Sequence, residues 1–160
     1  MSTHHSNNNN NNSNDDHCTL QASSTPLPLN IIQSGKISKQ ELRHLITSST
    51  TPNQLSSQQQ QQHYILLDVR SHQEVRGHHP LLPTAKHIPI NLIYSAFEAE
   101  DDEFEMEFGF CKPQQQDLII VYCEHGIRSQ MVQQILTEEF GYQHVINYEG
   151  SAHDWYSERN

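Results

Sequence analysis

Two short runs dominate the hydrophobic pattern of the chain: Tyr64-Ile-Leu-Leu-Asp-Val69 and Leu118-Ile-Ile-Val-Tyr122. Both are apolar without alternation, which predicts strands covered on both faces, as in a parallel sheet. Weaker strands are expected at Ala85–Ile88 and His144–Asn147, and Ile31-Ile32 is a candidate first strand. Helical spacing lies between these runs. Ser38-Lys-Gln-Glu41 reads as a capping box that opens a helix through Ile46, with Leu42, Leu45 and Ile46 on one side. From Ser129 to Phe140, residues Met131, Val132, Ile135 and Leu136 fall on one stripe, and Gly141 is placed to stop the helix. Strands alternating with helices predict an α/β fold, with a mostly parallel central sheet flanked by helices on both faces.

Two polar tracts interrupt this pattern. Residues 1–29 include six consecutive Asn, Asn7 to Asn12, and are expected to be a disordered tail, because so little apolar surface cannot offset the entropy of ordering. The tract at about 47–62 ends in five consecutive Gln, Gln58 to Gln62, and is expected to loop out at the surface. Residues 30–157 then form a single domain, of ordinary size.

Charge and cysteine usage narrow the function. The formal net charge is −10, which disfavours nucleic acid and anionic membranes as partners. Seven acidic residues lie between Glu98 and Glu107, an insertion (about 98–107) read as a solvated face. No apolar stretch is long enough to span a bilayer, and no secretory signal or transit peptide is evident, so a cytoplasmic location is expected. The three cysteines, Cys18, Cys111 and Cys123, are far apart. No Cys-x2-Cys or His-x3-His spacing suggests zinc, and His4-His5 and His78-His79 read as surface pairs, so neither metal nor cofactor is expected.

The chemistry concentrates at Val121-Tyr-Cys123-Glu-His-Gly126-Ile-Arg128-Ser129. A strand ends, a cysteine follows at once, and a helix begins near Ser129. Ligands sit at the carboxyl ends of strands in open α/β sheets, and turning backbone amides with a helix N-terminus make an anion site there. Gly126 permits the turn, and Arg128 adds a permanent fork-shaped cation. A thiol in that field is shifted toward thiolate, the nucleophilic form. Spacing alone also fits a core cysteine at a strand end with Arg128 as a surface charge.

Cys123-Glu-His-Gly126-Ile-Arg128-Ser129 resembles the Cys-x-x-Gly-x-Arg-Ser active loop of the rhodanese family. Leu67-Asp68-Val69-Arg70 with Glu74, then Gly77-His78, Ala85 and His87-Ile88-Pro89, resemble the family's N-terminal segments. Gly141-Tyr142, Gly150 and Trp155 resemble its C-terminal pattern, so the likeness runs from about Ile31 to Tyr156. It implies a rhodanese-like fold and a sulfurtransferase. Cys123 would carry sulfane sulfur as a persulfide, and Arg128 would join it in catalysis. Glu124, His125, Gly126, Ile127, Arg128 and Ser129 would bind a small anionic donor such as thiosulfate. Asp68 and Arg70 would support the loop, although an Arg70–Glu74 salt bridge is an equal alternative. The acceptor is thiophilic, either a small molecule or a protein.

Three features depart from the family pattern. The Gly-His segment is longer, with Leu81-Leu-Pro-Thr84 in place of a compact turn; Ser151 stands where a second Gly is usual; and the acidic insertion has no counterpart. These changes put substrate access in question more than chemistry. Cys-dependent phosphatases and arsenate reductases of related fold are the alternative enzymes. They have five residues between Cys and Arg, whereas four separate Cys123 from Arg128. A non-catalytic interaction module of the same fold is the third reading.

Overall fold

The structure is a computed structural model that describes residues 29–50 and 64–157. Its centre is a four-stranded parallel sheet made of β1 (Tyr64–Asp68), β2 (Lys86–His87), β3 (Leu118–Tyr122) and β4 (His144–Asn147), ordered β2-β1-β3-β4. The strongest apolar runs are the two inner strands, because only inner strands are covered on both sides. All five residues of β3 are buried.

Helices cover both faces. One face packs Leu67, Ile119, Val121 and Val145 against α4 (Ile93–Glu98), α5 (Asp101–Phe108) and α6 (Ile127–Gln134). The other packs Leu66, Leu118, Ile120 and Ile146 against α1 (Leu29–Ser34), α2 (Lys39–Thr50) and α7 (Ser151–Tyr156). The third helix in sequence, α3 (His72–Gly77), buries no residue of its own and lies beside the site instead.

Several expectations are met at the level of atoms. The Ser38 amide donates to Glu41 Oε2 at 2.9 Å, and the Glu41 amide donates to Ser38 Oγ at 3.3 Å, completing the capping box at α2. Gly141 adopts φ 73°, the left-handed conformation that releases the chain from the preceding helix.

Other expectations are corrected. Ile31-Ile32 belongs to helix α1, not to the sheet, and the chain touches β4 only later through a bridge from Lys36 to Asn147. Two adjacent apolar residues carry no period, so packing against the sheet decided their geometry. The strand expected at Ala85–Ile88 shortens to Lys86–His87. The helix expected from Ser129 starts at Ile127 and passes at Ile135 into a π-helical turn through Glu139. Of the expected apolar stripe, Met131 is exposed while Val132 and Leu136 are buried. Helix α2 runs to Thr50, into the tract expected as loop; the remainder of that tract and residues 1–28 lie outside the described residues.

The acidic stretch is the end of α4 followed by α5. Asp101, Asp102 and Glu103 occupy the first turn of α5, where the positive end of the helix dipole favours carboxylates. Phe104 turns inward and is fully buried, with its ring 5.8 Å from that of Phe97. The Leu81–Thr84 segment also supplies core. Leu82 is buried and its amide donates to the Tyr122 hydroxyl at 3.0 Å, while Thr84 takes a positive φ of 67° to make the turn.

Candidate active site

Cys123 follows β3 directly, at the carboxyl end of an inner strand. Parallel pairing sets Asp68 opposite Tyr122, so the residues leaving β1 run beside the residues leaving β3. That register places Asp68 and Arg70 beside the loop that follows β3.

The thiol is only 1% exposed and sits inside a set of donors. The Gly126 amide donates to its Sγ at 3.1 Å, the Ser129 hydroxyl at 3.5 Å, and the Ser151 hydroxyl lies at 3.9 Å. Burial works against charge on the sulfur, but the Ser129 hydroxyl and the amides of Ser129, His125 and Gly126 outweigh it and hold the thiol below its ordinary pKa. Replacing Ser129 by Ala should therefore move the pH profile of Cys123 alkylation by iodoacetamide to higher pH. An unmoved profile would show that the amides alone set the thiol's acidity.

Gly126 makes this geometry available. It caps α6 with φ 87°, and a Cβ there would press on the backbone of Glu149, 3.1 Å from its Cα. The loop is pinned from outside by Asn147, whose Nδ2 donates to the Gly126 carbonyl at 3.1 Å, and by the Ala152 amide, which donates to the Cys123 carbonyl at 3.0 Å. Ile127 is exposed at the loop's rim.

The sequence leaves Arg70 either supporting the loop or bridged to Glu74. Arg70 does not bridge to Glu74. It is fully buried and grips Asp68 with two nitrogens, Nη2 to Oδ2 at 2.6 Å and Nε to Oδ1 at 3.1 Å. Burial disfavours its charge, yet Asp68 more than offsets that and raises its pKa. Its Nη1 donates to the loop carboxylate Glu124 at 3.2 Å and to the His79 carbonyl at 2.9 Å. A fork with five donors can serve strand end, loop and neighbouring segment together.

Glu74 instead belongs to Arg128. The pair is bidentate, Nη1 to Oε2 at 2.8 Å and Nη2 to Oε1 at 2.6 Å, and half-buried. The Arg128 guanidinium holds the Glu74 carboxyl down at about 2. Glu74 also closes a capping box with Ser71, so α3 is tied to the start of α6. Between α3 and the loop residue Glu124 opens a cleft of about 470 Å³ lined by Ser71, Gln73, Glu74, Gly77, His78 and Glu124.

Two contributors were not singled out as site residues from the sequence. His79 reaches Glu124 through Nδ1 at 2.8 Å and stacks on Tyr156. Ser151 accepts the Cys123 amide at 3.1 Å, directly beside the thiol. Its φ of 53° explains why glycine suits this position, and its departure from the motif was the available signal. Of the other cysteines, Cys111 is half-buried on the segment that feeds the opposite end of β3, and Cys18 lies outside the described residues.

A family model described as a rhodanese-like domain matches residues 51–158. The chain belongs to the rhodanese-like domain family. Its rhodanese-like domain is 36% identical over 91 residues to a Schizosaccharomyces pombe protein named "Putative thiosulfate sulfurtransferase, mitochondrial". That match covers 57% of this chain and 62% of the relative, so less than two thirds of that protein is represented. A human thiosulfate:glutathione sulfurtransferase is 31% identical over 91 residues, covering 56% of this chain and 76% of that one. Among solved structures, the human single-domain sulfurtransferase TSTD1 superposes with a TM-score of 0.64 at 27% identity, covering 79% of this chain and 98% of that one. The rhodanese-like fold expected from the sequence is the fold observed.

Proposed function

We propose that the protein is a rhodanese-type sulfurtransferase that moves sulfane sulfur from a small anionic donor to a thiophilic acceptor through a persulfide on Cys123. The observation that carries this is the thiol itself, buried, ringed by donors and shifted toward thiolate at a strand's carboxyl end. The names of its relatives support sulfur transfer, and those of two supply thiosulfate as donor.

With thiosulfate, the Cys123 thiolate attacks the outer sulfur, a new S–S bond forms, the donor's S–S bond breaks and sulfite leaves with the electron pair. The persulfide that remains is an anion, so the same amides of His125, Gly126 and Ser129 that hold the thiolate suit it. An acceptor thiolate, for which the human relative's glutathione is the example, then attacks the terminal sulfur and releases Cys123 as thiolate. Glu124, through Arg70, and Asp68 keep the loop in register with β1 during both steps. No helix among the described residues is long and apolar enough to cross a membrane.

Arg128 uses two of its five N–H donors on Glu74 and retains the others for a donor's oxyanion. Arg128→Ala should lower kcat/KM for thiosulfate about 10- to 150-fold, the loss of one charge-assisted contact of roughly 1.5–3 kcal/mol. Arg128→Lys should recover only part, because an ammonium cannot serve Glu74 and the oxyanion with the same planar geometry. The assay is sulfite release from thiosulfate with glutathione as acceptor, run beside 3-mercaptopyruvate and an aryl phosphate. Turnover of the aryl phosphate without sulfur transfer would overturn the reading in favour of a phosphatase.

A further inference from the structure

Beside the loop, the fold brings one carboxylate and two imidazoles together. Glu124, His125 and His153 each present a ligand atom, and these atoms lie within 4.8 Å of one another. His125 follows the nucleophile by two residues and His153 sits on α7, 28 residues further on, so no local spacing announces the group. The His125 and His153 rings face each other with centroids 4.9 Å apart at 47°. Both are exposed, and the His153 amide donates to the Glu124 carbonyl at 3.0 Å, which fixes α7 against the loop at this point.

We propose that Glu124, His125 and His153 bind a borderline transition-metal cation, Zn2+ or its close analogues, at the lip of the active loop. Two imidazoles and one carboxylate are the donor set of open zinc sites and are poorly matched to Ca2+ or Mg2+, which take oxygen ligands. Tetrahedral bonds of 2.0–2.1 Å would bring the ligand atoms to about 3.3 Å apart, a contraction that rotation of two exposed rings can supply. The carboxylate is already oriented. Glu124 accepts from Arg70 Nη1 at 3.2 Å and meets His79 Nδ1 at 2.8 Å, one partner on each oxygen, and each oxygen keeps a further lone pair for the metal. His79 is stacked on Tyr156 and engaged by Glu124, so it acts as the orienting group and not as a ligand.

The site is separate from the nucleophile. Cys123 Sγ is not among the converging atoms and is enclosed by Gly126, Ser129 and Ser151. Three protein ligands leave a fourth position for water or an incoming thiol. An ion held there would tie the loop residues Glu124 and His125 to α7 beside the reactive sulfur.

The test is calorimetric titration of ZnCl2 into the full chain carrying Cys123→Ser, which removes the thiolate as a competing ligand. One tight site per chain is expected. His125→Ala and His153→Ala should each weaken it about tenfold or more, and His44→Ala, which removes an exposed histidine on α2 remote in sequence from the group, should leave it unchanged. Zinc should also raise the melting temperature of the His44→Ala protein and not that of His153→Ala. Loss of the tight site in the Cys123→Ser background, or equal affinity in the His153→Ala protein, would overturn the proposal. Binding is read without turnover, so failure of the sulfur-transfer reading would leave this result to stand or fall by itself.

Discussion

Cys123→Ser should abolish sulfur transfer from thiosulfate while leaving the fold in place. The hydroxyl is nearly isosteric with the thiol and can take over the Gly126 and Ser129 contacts, so packing around it changes little. It cannot form a persulfide, and covalent catalysis stops at the first step. The wild-type chain, treated with thiosulfate and freed of excess donor, should carry about +32 Da on the peptide containing Cys123, one sulfur atom gained in that step. The variant should carry none and should melt within a few degrees of wild type, as expected for a change that opens no cavity. A Cys123→Ser protein that retains wild-type turnover would remove the persulfide mechanism altogether.

Arg70→Leu should be the most destabilising single change at the site. Arg70 and Asp68 are both fully buried, and removing the cation leaves a carboxylate with neither water nor its partner. Breaking a buried pair from one side costs about 3–5 kcal/mol, which for a domain of this size lowers the melting temperature by roughly 10–25 °C. The loss also removes a donor from Glu124 and from the carbonyls of His79 and Pro80, and takes away a guanidinium 5.7 Å above the Tyr122 ring. Asp68→Leu combined with Arg70→Leu should be more stable than Arg70→Leu alone, because the uncompensated charge is gone. Thermal unfolding followed by circular dichroism measures both. A loss under about 1 kcal/mol in the single variant would mean that Asp68 is hydrated, and the loop would need another explanation for its position.

Much of the architecture was legible because its causes are local. The inner strands are the two strongest apolar runs, and β3 has the bounds the pattern predicts, Leu118–Tyr122. A capping box states where α2 starts, since the two hydrogen bonds that make it lie within four residues. The active loop was legible for the same reason: Cys123, Gly126, Arg128 and Ser129 are neighbours in sequence, and a strand-to-helix turn requires little more than their order. The weak places were short or two-fold ambiguous. Ile31-Ile32 has no period of its own, and β2 pairs through two residues only, so neighbours settled both.

The tertiary structure alone decided which charges meet. Glu74 lies four residues from Arg70 and 54 from Arg128, and sequence proximity favours the first; yet Arg70 is drawn into the interior by Asp68, where two buried charges must satisfy each other, and Glu74 is left to pair directly with Arg128. Ser151 and His153 come to the loop because β4 and α7 return beside β3, a consequence of parallel pairing that no residue near Cys123 encodes. What the sequence by itself determined is the fold class and the order of residues in the loop from Cys123 to Ser129, both set by short-range pattern. The pairing of the buried and half-buried charges, the hydroxyl under the thiol and the histidines at its lip depend on contacts across long stretches of chain, and only the packed sheet brings those stretches together.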